Sequence, residues 1–105
     1  MALPFDLSED ALLDLEQALG HIALDSTQAA NRLANELEQT FLFLAQWPSA
    51  GHTRDDLTPD ENLKFWPMKS YLIGYYGNLS PIVIVGVLHG SRDAASIFST
   101  RLGRS

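Results

Sequence analysis

The densest set of chemically capable side chains is the turn His89-Gly90-Ser91-Arg92-Asp93, which brings together an imidazole, a flexible glycine, a hydroxyl, a guanidinium and a carboxylate. A guanidinium in a glycine-containing exit suits bidentate capture of a phosphate or carboxylate; the ordinary alternative is an ion pair with Asp93 or a helix-end contact. The imidazole of His89 is a side chain suited to proton carriage, although a histidine closing a buried strand more often hydrogen-bonds a turn. Ser91 has no base–orienter arrangement legible in sequence and reads as a helix cap. Lys64 and Lys69 continue the cationic surface or, more plainly, blunt an edge strand. His21, His52 and His89 fall in three different elements without paired ligand spacing, and the chain has no cysteine. No metal site, thiol chemistry, disulfide or cofactor is therefore expected.

The turn must be held by the apolar run that precedes it. Ile82-Val83-Ile84-Val85-Gly86-Val87-Leu88 is too uniformly apolar to alternate a wet and a dry face, so it predicts a central strand covered on both sides. Residues 2–7 predict a weak edge strand containing Pro4. Ser8 caps a first helix reaching about residue 24, with Leu12, Leu15, Leu19 and Ile22 as its inward stripe. Asp25-Ser26-Thr27 breaks the pattern. A second helix over 28–47 follows, with Ala30, Leu33, Leu37, Phe41 and Leu44 inward and Pro48 ending it. So short a link makes an antiparallel helix hairpin. Residues 49–62 read as loop. Strands over 63–66, 71–76 and 82–88 form a meander, with Pro67 placing the first toward an edge. Ile97, Phe98 and Leu102 predict a short final helix over 94–102, capped by Ser91 or Asp93. The result is α+β: a β-α-α-β-β-β order in which a helix hairpin packs on a small, mainly antiparallel sheet.

At 105 residues and 46% hydrophobic content, the chain predicts one domain over 1–105, burying roughly two-thirds of its unfolded surface. No run approaches a membrane span and the amino terminus lacks the pattern of a secretion signal, so the cytoplasm is expected. A formal charge of -6 argues against direct, tight nucleic-acid binding, which needs cations to displace counterions. The charge is unevenly spread. Up to residue 50 the only lysine or arginine is Arg32; from Lys64 onward Lys64, Lys69, Arg92, Arg101 and Arg104 face Asp93 alone. An anionic partner should meet the second half.

Val87-Leu88-His89-Gly90-Ser91-Arg92-Asp93 after an apolar strand resembles the carboxyl-terminal signature of the ParE branch of the RelE/ParE toxins. Phe5-Asp6-Leu7-Ser8-Glu9-Asp10-Ala11, with Asp14-Leu15 a turn later, is similar to that branch's first strand and helix start. Leu44-Ala45-Gln46-Trp47-Pro48-Ser49-Ala50-Gly51 resembles the close of its second helix. Leu63-Lys64-Phe65-Trp66-Pro67-Met68-Lys69-Ser70-Tyr71-Leu72-Ile73-Gly74-Tyr75 resembles its second and third strands, with Lys64 where an arginine is usual. The resemblance implies a toxin of a type II toxin–antitoxin system, neutralised by a cognate antitoxin, ParD-like or other. It also implies DNA gyrase as target, through Lys64, Lys69, His89 and Arg92. The alternatives are a RelE-like ribosome-dependent mRNA endonuclease and a non-toxic, antitoxin-binding relative. Cleavage of RNA needs cations at the scissile phosphate and a proton carrier. The RelE branch typically has an arginine after the third-strand tyrosine and a tyrosine near its carboxyl end; here Leu72 follows Tyr71, and no tyrosine follows Tyr76. Inhibition by binding, without catalysis, is therefore the expectation.

Leu13 and Leu24 on the first helix, and Leu42 and Phe43 on the second, fall away from the inward stripes at 100° per residue. Some should fill the helix–helix seam. The remainder should form an apolar groove for an antitoxin helix or strand.

Overall fold

The computed structural model describes residues 3–90 and 93–102. Its elements are β1 (Phe5–Leu7), α1 (Glu9–Asp25), α2 (Thr27–Gln46), β2 (Leu63–Met68), β3 (Tyr71–Tyr76), β4 (Ile82–His89) and α3 (Ala94–Leu102). The strands form one mixed sheet ordered β1-β4-β3-β2. The β2–β3 and β3–β4 pairs are antiparallel and β1 lies parallel to β4. This is the α+β layout that the pattern of elements predicts.

Short polar side chains set the helix boundaries. The Ser8 hydroxyl accepts from the Ala11 N–H at 3.1 Å, and Glu9 and Asp10 sit in the first turn of α1, where the helix dipole favours anions. Ser26 ends α1 and begins α2: its N–H donates to the Ile22 carbonyl, and its hydroxyl accepts from the Ala29 N–H. One extended residue thus folds the two helices into the hairpin. Trp47, ahead of Pro48, closes α2. Asp93 caps α3 by accepting from the backbone N–H and the hydroxyl of Ser96, which holds its carboxyl below the usual range.

The hairpin covers one face of the sheet. Ala30, Leu33, Leu37, Phe41 and Leu44 of α2 are all buried, as their spacing predicts. Leu33, Leu37, Phe41 and Leu44 pack into one cluster with Ile73, Tyr75, Ile82, Ile84 and Val87. On the opposite face Phe98 of α3 closes a second cluster over Leu63, Phe65 and Leu88. β4 is therefore covered on both sides, which accounts for its continuous apolar run. Opposite Gly74 and Tyr75 the register jumps from Gly86 to Ile84, leaving Val85 as the extra residue of a bulge. The jump sends Ile84 and Val87 to the hairpin side, and Val85 and Leu88 to the α3 side.

Three expectations are corrected. Leu12 does not face the core; it is 46% exposed, and the buried residues of α1 are Ala11 and Asp14, with Leu15, Leu19 and Ile22 half-buried beside them. A small residue and a hydrogen-bonding carboxylate let the helix close directly on β4, so the inward face is centred between the leucines. The first strand is only Phe5–Leu7: Leu3 and Pro4 precede it, and Ala2 lies outside the described residues. β2 does not stop at Trp66 but continues through Pro67, paired opposite Leu72, to Met68. At a sheet edge a proline is tolerated because no neighbouring strand requires its missing N–H.

Tyr75, fully buried in β3, fastens the chain after α2. Its hydroxyl accepts from the Gly51 N–H and donates to the Pro48 carbonyl, both at 2.8 Å. A Cβ at Gly51 would lie 2.5 Å from that hydroxyl oxygen, so the approach requires glycine. Burial raises the Tyr75 phenol above its ordinary value, against the opposing pull of the Gly51 hydrogen bond. The neutral phenol's contribution is therefore complete below the unfolded value of about 10 and is lost as pH rises through the higher folded value. Tyr75→Phe should lower stability in urea denaturation by about 1–3 kcal/mol, the cost of a buried N–H without an acceptor. It should also weaken the alkaline destabilisation of the native protein; an unchanged midpoint and alkaline profile would remove Tyr75 from this role.

Candidate functional site

The described end of the turn singled out in sequence is reached from β4, whose outer edge is only partly covered by β1. The parallel pairing ends at Leu7 opposite Ile84, with the Ser8 N–H donating to the Ile84 carbonyl. Beyond that point Asp14 of α1 accepts from the Val87 N–H at 2.9 Å, and Arg101 of α3 donates to the Val85 carbonyl at 3.1 Å. The two side chains also pair with each other, each terminal guanidinium nitrogen lying 2.8 Å from one oxygen of the Asp14 carboxylate. This is a bidentate fork with side-chain exposures of 14% and 3%. Asp10 adds a longer contact to Arg101 at 3.8 Å. Hydrogen bonding to Asp14 lifts the Arg101 pKa above its ordinary value, against the opposing effect of burial.

α3 also docks through its aromatic anchor. Gly74 and Gly86 stand opposite each other on β3 and β4, and the Phe98 ring lies over both. A Cβ on either would come within 2.8 Å of ring carbons, and one on Gly86 would also stand 3.0 Å from the Arg101 guanidinium. Phe65 meets the same ring edge-on, with centroids 5.2 Å apart.

With α3 fixed in this way, its start forms one wall of a cleft of about 570 Å³; the β2–β3 turn and the end of β4 line it, and Arg54 and Asp56 stand at its side. Lys69 and His89 both line this cleft. Lys64 does not: it lies on β2 opposite Tyr75, away from the turn. Arg92 and Ser91 lie outside the described residues. The Lys69 ammonium pairs with Glu36 at 2.5 Å. Arg54 forks onto Asp56 at 2.8 and 2.6 Å, a hydrogen-bonded pair that raises the arginine's pKa and lowers the aspartate's. His89 stands edge-on to Tyr71 with ring centroids 5.5 Å apart, and the Gly90 N–H donates to the Ser70 carbonyl at 2.7 Å. The strand exit is thus pinned to the β2–β3 turn. Among the described residues no group of histidine, aspartate or glutamate side chains is arranged to hold a metal ion.

Of the four outward apolar residues on the hairpin, only Leu42 lines the apolar hollow beside β1; Phe43 borders a separate, shallower one with Gln39, Thr40 and Trp66. Leu42 is half-buried and, with Leu3, Phe5, Leu15, Leu19 and Phe41, borders the hollow beside β1, of about 300 Å³. Leu13 and Leu24 are 54% and 84% exposed and line no part of it. Phe43 packs instead against Trp66, ring centroids 5.3 Å apart. Sequence reasoning missed the Asp14–Arg101 pair and Arg54. One signal for the pair was present: Asp14, three positions after Ala11, shares its face of α1, and an inward carboxylate requires a donor.

A helix hairpin and a carboxyl-terminal helix on opposite faces of a four-stranded mixed sheet, with a cleft of mixed charge at the strand exit, define a small α+β protein. A family model described as the ParE toxin of the parDE type II toxin–antitoxin system matches residues 5–94, and the chain belongs to that family. A solved structure described as a chromosomal ParDE TA system from P. aeruginosa has a similar fold. It aligns with a TM-score of 0.65 at 14% identity, covering 81% of this chain and 92% of that one. No curated protein sequence matches closely enough to be called a relative. Among the described residues no helix is long and apolar enough to cross a membrane.

The glycine platform gives a paired expectation. Gly86→Ala should destabilise by about 1–3 kcal/mol, because the methyl group forces the Phe98 ring from its seat. Gly20→Ala, in α1 with nothing within 4 Å of the added carbon, should stabilise by about 0.5–1 kcal/mol. Equal urea midpoints for the two variants would contradict the docking of α3 on this platform.

Proposed function

We propose that this ParE-family toxin inhibits DNA gyrase by binding, without chemistry of its own, and that a cognate ParD-like antitoxin neutralises it. The observation carrying the first part is Leu72. It stands where the RNA-cutting branch typically has an arginine, and its side chain packs into the apolar cluster beneath α3. A residue so placed offers no charge to a scissile phosphate. The Asp56 carboxylate forked onto Arg54 points the same way, since it would compete with a phosphate for that cation.

In this reading Lys69, His89 and Arg92, with Lys64 further along β2, face the target. The antitoxin lays an apolar helix or strand along the hairpin, using the groove at Leu42 and the outward Leu13, Leu24 and Phe43. The family membership and the ParDE neighbour support an antitoxin partner.

A gyrase supercoiling and cleavage assay with purified protein tests the reading. Loss of supercoiling with accumulation of cleaved DNA is expected, and Arg92→Ala should reduce the effect about tenfold or more, as for a charge-assisted contact. A folded protein with no effect would sink gyrase as target and redirect the test to cleavage of ribosome-bound messenger RNA.

A further inference from the structure

A second hollow, of about 310 Å³, lies on the hairpin side of the Lys69-Ser70-Tyr71 turn. Arg32 and Lys69 line it together with the apolar Ile22, Leu33 and Tyr71. Arg32 and Glu36, four positions apart, share one face of α2. Glu36 in turn reaches across to the Lys69 ammonium.

Lys69 is unusual in its backbone as well as its charge. It is the only non-glycine residue with positive φ among those described, at 54°. It opens a two-residue hairpin turn, a position that glycine occupies at least cost. Strain of this kind, held by a charged residue bordering a hollow, points to a role for the side chain.

We propose that this hollow binds an acidic peptide segment, with carboxylates gripped by Arg32 and Lys69 and a neighbouring apolar side chain seated against Ile22 and Tyr71. Charge complementarity selects a carboxylate-bearing occupant. The apolar walls at Ile22, Leu33 and Tyr71 favour a peptide with an apolar side chain over a phosphodiester chain. Glu36 is the internal stand-in: its carboxylate already occupies the Lys69 ammonium, and the incoming peptide displaces it. The inference does not depend on gyrase being the target.

Fluorescence anisotropy with a labelled peptide alternating glutamate and leucine provides the test, with a glutamine-for-glutamate peptide as control. The glutamate peptide should bind at least about fivefold more tightly than its control, the worth of roughly one exposed charge pair. Arg32→Gln should weaken binding by about the same factor. Lys69→Gly should weaken it too while leaving thermal stability equal or higher, because the strained φ is relieved. Glu36→Gln should tighten binding by freeing Lys69. Equal affinity for the two peptides, or folded Arg32→Gln and Lys69→Gly variants that bind as the native protein does, overturns the proposal. Displacement of the peptide by a single-stranded oligonucleotide of equal charge overturns it in favour of nucleic acid.

Discussion

The paired charges of Asp14 and Arg101 complete a strand edge that the chain leaves unfinished. β1 is three residues long and runs out opposite Ile84. The edge of β4 beyond it would otherwise present buried backbone groups without partners, a costly arrangement. One carboxylate takes the Val87 N–H, one guanidinium takes the Val85 carbonyl, and the two groups satisfy each other. A buried pair contributes little net stability when formed, but removing one partner leaves a buried charge exposed to its full desolvation penalty. The pair is therefore less a source of stability than a condition on where its three attached elements sit.

Those elements are α1, β4 and α3, from the two faces of the sheet and the strand between them. The bulge at Val85 turns the local alternation of β4 so that its apolar residues serve both clusters. The glycines at 74 and 86 make a flat platform under Phe98. Arg101, one turn further along α3, reaches past the platform to α1. With α3 held at both points, its first residues wall the cleft that contains Lys69 and His89. Fold and candidate site are thus linked through one short helix.

Much of the fold was legible in the chain. The i, i+3, i+4 spacing of α2 named its buried residues, β3 matched at both ends, and the uniform apolarity of β4 announced cover on two faces. The errors share a cause, which is that tertiary partners override local pattern. Leu12 gave way because α1 closes on β4 through Ala11 and Asp14, and Pro67 stayed in a strand because its neighbour lies on one side only. The site was less legible. Arg101 and Asp14 are 87 positions apart, and no local periodicity brings them together. Lys64 and Lys69 share a strand and turn in sequence, yet only Lys69 borders the cleft, because its side chain leaves from the turn. Of the apolar residues expected to form a groove, helical angle alone could not separate Leu42, beside the edge of β1, from Leu24, which meets solvent.

A double-mutant cycle on Asp14→Asn and Arg101→Gln, read by urea denaturation, measures the central interaction most directly. Asparagine can still accept from the Val87 N–H, so the cycle isolates the charge pair from the strand-edge bond. A coupling energy of about 1–3 kcal/mol is predicted. Additivity within about 0.5 kcal/mol would contradict the account, because α3 and α1 would then be held in place without each other.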